Sequence, residues 1–321
     1  MDNVTHTLTG WMLSRAGLDR WHPRASLILM LSANAPDLDV ITAAGGAINY
    51  LHFHRGWTHS IAVAPAVAVL PVLVALAFAR SMRGWLAAYA LSLIGVASHL
   101  LLDWTNSYGI RLFLPFSSAW PHLDWTNVVD LWILVALVLG VVSPMMGRLV
   151  SSEIGAKPGK GRSPAIAALL LVLAIEFGHY LAHQRALETL NSRIYRGAAP
   201  IRVAAFPASV ANPLRWNGWV QGDGFATHYH LDLATPFDPS AGDTIYPTDP
   251  SPALDAARHT QVFQTFLEFS QYPIWRVLPA DDPEGAVQVD LSDWRFAFTA
   301  SATVDRANRV LQSRFSFGLA R

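Results

Sequence analysis

The chain has 321 residues, 52% of them apolar and only 14% charged, and its 23 basic and 23 acidic side chains cancel. A charged fraction so far below the roughly 25% of soluble domains points to a membrane protein, and zero net charge leaves no basic field to attract nucleic acid. The absence of Cys excludes disulfides and thiolate metal sites, so any metal must rest on His, Asp, Glu or backbone oxygen.

The opening stretch MDNVTHTLTG lacks the basic start and apolar core of a signal peptide, so membrane insertion is expected from internal spans. Residues Thr5–Ala35 read as one or two helices packed against a bundle or dipping partway into it. The apolar run Ser26–Ala35 is too short to span and ends at Pro36 in APDLD. Four segments approach the ~20 residues a bilayer requires: Ile61–Ala79, Trp85–Leu102, Leu131–Gly147 and Pro164–Ala182. Pro65 and Pro71 fall inside the first, which lipid-embedded helices tolerate.

From Arg185 charge returns and the long apolar runs stop. RWNGWVQGDGFATHYHLDL reads as a hairpin turning at Gly222-Asp223-Gly224. YPIWRVLP, AVQVDL, RFAFTASATVD and RVLQSRFSFG alternate as strands do. The predicted fold is thus an α-helical transmembrane bundle of about four spans with N-terminal packed or re-entrant helices (residues 1–184), followed by a soluble, mostly β C-terminal domain (residues 185–321).

Basic residues suggest an orientation. Arg80 and Arg83 sit in one loop, and Arg148, Lys157, Lys160 and Arg162 in another. The positive-inside rule makes both loops cytoplasmic. Residues 1–60, the loop 103–130 and the C-terminal domain then fall on the outer, periplasmic side of a bacterial inner membrane. Arg15, Arg20, Arg24 and Arg55 run against that assignment.

The outer side collects His and Asp. Between Leu31 and Asp130 there are five acidic residues, all Asp. Asp37 and Asp39 form PDLD, His54 and His59 bracket HRGWTH, and His99 and Asp103 close the second span four residues apart, one turn on the same helix face. Each piece alone has a structural reading: His6 as an interface or capping residue, PDLD as a helix cap, HRGWTH as a turn anchored by Trp57, His99 and Asp103 as a hydrogen-bonded pair. Convergence on one membrane face favours a metal site, because ionisable groups there are costly and functional by default. Imidazoles mixed with carboxylates suit zinc first, or manganese or iron. Glu176, His179 and His183 share one face of the last span and read as a second, weaker ligand set or as a hydrogen-bonded interfacial set, and Asp130 is a further, weaker candidate ligand. His228 and His230 share one face of a strand and read as surface residues.

The motifs NVTHTLTG, APDLD, HRGWTHS and HLLLDWTNSYG, with LPFS and the Asp130 region, resemble the YdjM-like family, described as LexA-regulated, membrane-bound, metal-dependent hydrolases. The resemblance is strong through about residue 147 and extends, less specifically, to NPLRWNGWV. The order His6, Asp39, His59, His99, Asp103 also resembles, distantly, that of zinc-dependent phospholipase C and related single-strand nucleases. That likeness implies that Asp39, His59, His99 and Asp103 hold one ion, and that Asp103 bridges to a second that His6 also binds. It does not extend to that family's remaining ligands, so one or two ions are expected, and either His54 or His59 serves as ligand.

The chemistry so implied is metal-assisted hydrolysis of a phosphoester on a lipid or lipid-linked substrate. Asp37 is expected to orient a ligand or take the water's proton, and Arg55 to neutralise developing charge. Nucleic acid is not expected, although the Trp-rich C-terminal domain could stack bases. The alternative is a non-catalytic, metal-stabilised membrane protein whose β domain binds a partner. A transporter is disfavoured by the small number of spans and the lack of an inverted repeat.

Overall fold

The structure, a computed structural model, describes residues 1–79, 83–153 and 161–318. The N-terminal half is helical: α1 (Asn3–Arg15), α2 (Ala25–Ser32), a 3-10 segment over Pro36–Gly45, α3 (Ala47–Phe53), a 3-10 turn over Trp57–His59, α4 (Ala64–Val67), α5 (Val69–Ala79), α6 (Trp85–Thr105), α7 (Leu131–Glu153) and α8 (Arg162–Asn191). Among the described residues, three helical stretches are long and apolar enough to cross a membrane, Trp85–Thr105, Leu131–Leu149 and Arg162–Asn191, or up to five spans if two bent pairs each count as one. The expected first span, Ile61–Ala79, is not one helix. It is broken into α4 and α5, and the segment Ala47–His59 meets Ala64–Phe78 at 91°. The short run Ser26–Ala35 becomes α2, which bends by 44° into the 3-10 segment after Pro36.

α1 and α2 pack as a hairpin against α6, α7 and α8. Glycine allows this closeness. A Cβ at Gly10 would lie 2.5 Å from the Leu29 carbonyl oxygen, and one at Gly95 would lie 2.9 Å from Ser32 Cβ. The hairpin reverses at the end of the bundle away from the His/Asp residues. There Arg162 Nε donates to the Ala16 carbonyl (2.9 Å) and Arg24 to the Phe78 carbonyl (3.2 Å). Arg15 and Arg24 therefore share the bundle end of Arg162, and residues 1–60 do not lie on one face as expected. Arg80, Lys157 and Lys160 lie outside the described residues.

The C-terminal region is mostly β, in two four-stranded antiparallel sheets. The first holds β1 (Arg202–Pro207), β2 (Arg215–Gly222), β3 (Phe225–Asp232) and β4 (Asp243–Ile245) in that order. Gly222 pairs with Phe225, so Asp223-Gly224 forms the two-residue turn, with Gly224 at φ +71° where a side chain would be strained. After α9 (Pro252–Arg258) and α10 (Gln261–Phe269), the second sheet runs β5 (Pro273–Pro279), β6 (Val287–Asp293), β7 (Thr299–Val304) and β8 (Val310–Ser316).

The two halves share cores. α8 continues past residue 184 to Asn191, and its Ala186 and Leu190 pack on Trp216, Val220 and Leu231 of the first sheet. Leu51 of α3 and Tyr108 and Trp120 of the loop after α6 join the core of Phe263, Phe266, Phe269 and the second sheet. The β region is thereby seated against the end of the bundle that carries the His/Asp residues.

Candidate metal centre

His99 and Asp103 sit one turn apart near the end of α6, both fully buried. His99 Nδ1 lies 2.8 Å from the Ala33 carbonyl at the end of α2. A carbonyl can only accept, so Nδ1 carries the proton and Nε2 is left with a lone pair. His59, on the 3-10 turn after Arg55, reaches the same outcome by another route. Thr58 Oγ1 donates its one proton to Asp39 Oδ2 (2.8 Å), so towards His59 Nδ1 (3.0 Å) it can only accept. His59 Nε2 is then also a lone pair, and it lies 3.0 Å from His99 Nε2.

Two buried lone pairs facing each other at that distance call for a cation between them. The carboxylates are placed to hold one. Asp103 Oδ2 lies 3.4 Å from His59 Nε2 and 3.3 Å from His99 Nε2, and it is buried with no hydrogen-bond partner. Asp37 Oδ1 lies 3.5 and 3.7 Å from the same two nitrogens. Tetrahedral zinc with bonds of about 2.0–2.1 Å requires ligand–ligand edges of about 3.3 Å. The donor set Asp37, His59, His99 and Asp103 therefore fits a divalent ion in both spacing and chemistry.

The surroundings fix these groups. Asp103 Oδ1 accepts from Arg55 Nη2 (3.1 Å) and Asn106 Nδ2 (3.3 Å) and touches the Met1 amino group. Arg55 is buried at φ +57°, a strained conformation of the kind that clusters at functional sites. Its guanidinium also reaches Asn106 Oδ1 (3.1 Å) and lies 4.8 Å over the Tyr108 ring, while its Nε has no partner. Burial pushes the Tyr108 phenol up from its ordinary value, so it stays neutral beneath that cation. His6 stacks on His99 with ring centroids 3.9 Å apart and brings Nε2 to 3.4 Å from Asp103 Oδ1. Neither His6 nitrogen has a hydrogen-bond partner, but among the described residues His6 belongs to no donor group compact enough for an ion. The Asp103 Oδ1 it approaches already holds Arg55, Asn106 and the Met1 amino group, so the expected second ion on His6 and Asp103 has no compact site.

Asp37 and Asp39 take different places. In a 3-10 helix of three residues per turn, positions two apart point about 120° from each other. Asp37 completes the compact group. Asp39 instead accepts from His54 Nδ1 (2.8 Å), the Arg55 N–H (2.9 Å) and Thr58 (2.8 Å), and forms a second potential group with Asp37 and His54. The arrangement thus differs from the expected set of Asp39, His59, His99 and Asp103 with Asp37 apart. His59 is in the compact group, and His54 stands outside it with Tyr50 stacked on its ring at 4.4 Å.

Asp130, Glu176, His179 and His183 gather elsewhere. All four are buried, at the junction of α7, α8 and the first sheet. Asp130 Oδ1 caps α7 by accepting from the Trp132 and Ile133 N–H groups, and its Oδ2 is 3.6 Å from His179 Nδ1. Glu176 accepts from Thr105 (3.1 Å), and His183 packs on Trp216. Among the described residues, these four form no group compact enough for an ion. Tyr108, Asn106, Thr58 and Tyr50 were not singled out from sequence; none carries a metal-ligand signature, and the repeated DWTN that contains Asn106 is the one hint the sequence offers.

A family model described as YdjM inner membrane protein matches residues 1–186. The chain is similar to the uncharacterized protein YfhP of Bacillus subtilis (strain 168), with 30% identity over 292 residues, covering 86% of this chain and 82% of that protein. No solved structure matches the chain.

Proposed function

The chain belongs to the YdjM inner membrane protein family, and from that premise we propose that it is a membrane-embedded, metal-dependent hydrolase acting on a phosphoester of a lipid or lipid-linked substrate. One observation carries the reading: two imidazole lone pairs and two carboxylates converge, buried, around a space fit for a divalent ion. His59, His99 and Asp103 would hold that ion, zinc by preference and manganese or iron by donor type.

A divalent ion bound there would supply Lewis acidity and lower the pKa of water toward ~7. Asp37 is the most exposed of the four groups. It would take the proton of the attacking water as the new P–O bond forms and return it to the departing alcohol oxygen as the ester P–O bond breaks. Arg55 holds Asp103 in place and sets positive charge beside the phosphoryl oxygens. Asp39 orients His54 directly and His59 through Thr58.

Lipid is favoured as substrate because the segments bearing Asp37, Asp39, His54 and His59 also expose Leu38, Val40, Ile41, Phe53 and Trp57. The basic residues at the far end of the bundle support a periplasmic centre by the positive-inside rule. The second reading, a closed structural site, draws on the presence of four protein donors, since catalytic zinc usually keeps one position open.

The test is hydrolysis of phospholipids in mixed micelles by zinc- or manganese-loaded protein. We expect phosphoester cleavage that chelator abolishes and that Arg55→Lys lowers about 10²–10³-fold, the loss typical of one removed transition-state donor. Stoichiometric metal with no cleavage, and unfolding on chelation, would establish the structural reading instead.

A further inference from the structure

A cavity of about 530 Å³ lies away from the metal centre, where the loop after α6 meets both sheets. One wall is the face of the first sheet that carries Asn217, His228 and His230 in register, with Asn217 paired to His230. The opposite wall is Trp294 and Phe296, from the turn after β6, and Ser107 and Val129 come from the loop. Val129 and Val210 are 45% and 50% exposed, and Leu131 at the head of α7 bonds to the Val210 carbonyl. The mouth therefore opens beside the end of a candidate membrane span.

The polar atoms in this cavity carry no free charge. Arg295 is the one Arg or Lys lining it, and its guanidinium is already bound to Asp293 (3.0 and 3.3 Å), the Ser107 carbonyl (3.0 Å) and the Phe269 carbonyl (3.4 Å). Burial, then the neighbouring His230, pushes the His228 imidazole down to about 4, so it is neutral at pH 7. Both imidazoles donate to Asn217 Oδ1, at 3.3 and 3.1 Å, because an amide oxygen only accepts. The Ser107 hydroxyl is buried without a partner. A phosphate here would meet no uncommitted cation to offset its desolvation. A hydroxyl, both donor and acceptor, matches amide, imidazole and serine, and the aromatic wall suits the C–H face of a ring.

We propose that this cavity binds an uncharged, hydroxyl-rich group, a glycosyl or glycerol moiety, carried on an amphiphile that enters from the membrane edge. The proposal concerns binding alone and stands apart from whether the metal centre hydrolyses anything.

The full chain in nanodiscs would be titrated with monoglucosyl diacylglycerol, with phosphatidic acid of the same acyl chains, and, without added lipid, with free glucose. Hydrogen exchange over residues 226–232 is the readout. The glucosyl lipid is expected to protect β3 saturably. His230→Leu, at an exposed position, should weaken that binding by about tenfold or more; Asn217→Leu is the second variant. Equal protection by free glucose would support the same chemistry from a soluble source. Protection by phosphatidic acid as strong as by the glucosyl lipid, no protection by either glucosyl probe, or unchanged binding in both variants would overturn the proposal.

Discussion

Two buried His/acid clusters flank the junction of bundle and sheets, and their difference is instructive. Around His59 and His99, two lone pairs and two carboxylates aim at one point, and Asp103 Oδ2 has no other partner. Around His179 and Glu176, similar side chains are equally buried, and Glu176 Oε2, His179 Nδ1 and His183 Nδ1 also lack hydrogen-bond partners among the described residues. These atoms do not converge: Asp130 caps α7, Glu176 accepts from Thr105 and His183 packs on Trp216. Residue type and a shared helix face are common to both. Convergence of donor atoms on one point, rather than the lack of hydrogen-bond partners, is what separates the candidate metal centre from the second cluster.

That contrast can be broken or sharpened by mutation. The largest effect should come from Asp103→Asn set against Asp39→Asn. Loss of a group in the compact set should weaken metal binding more than loss of Asp39, for which about 10–100-fold is expected of an orienting partner; competition with a chromogenic chelator measures both. Next is Gly95→Val. Its side chain would push α2 from α6, cost about 1–3 kcal/mol as overpacking does, and lower the midpoint of thermal unfolding. It should also lower metal content, because the Ala33 carbonyl that sets the His99 tautomer would move. A Glu176→Gln, His179→Ala double variant should leave bound metal per chain unchanged by elemental analysis; loss of metal there would erase the distinction between the clusters. The smallest effect concerns His228. Its folded value of about 4 lies below the ordinary 6.5, so the unfolded chain binds the proton first. Its stabilising contribution is complete above about pH 6.5 and is lost as pH falls toward 4. His228→Gln should flatten that part of the stability–pH curve relative to the parent.

Much of this was legible in the sequence. The alternation and the Asp-Gly turn placed the β2–β3 hairpin, and the pairing of His99 with Asp103 one turn apart needed only helical periodicity. The division of labour between Asp37 and Asp39 was not legible. It depends on a 3-10 segment after Pro36 and on the positive φ of Arg55, neither of which leaves a periodic trace. Choosing His59 over His54 for the compact group required the fold of the Arg55–His59 turn, which carries His59 Nε2 to His99 and leaves His54 on Asp39. The break of Ile61–Ala79 and the α1–α2 hairpin were hidden because apolar composition reports burial in lipid or protein without reporting chain direction. The cavity was invisible because its walls come from three separated stretches, none of which carries a motif.

The most direct test is the metal content of the detergent-purified protein, measured by inductively coupled plasma mass spectrometry beside a His99→Ala, Asp103→Ala variant shown to fold by its circular dichroism. Stoichiometric zinc, manganese or iron in the parent and its loss in the variant is the predicted result. No metal in either protein, even after reconstitution with each ion, would contradict the centre and with it the hydrolase reading.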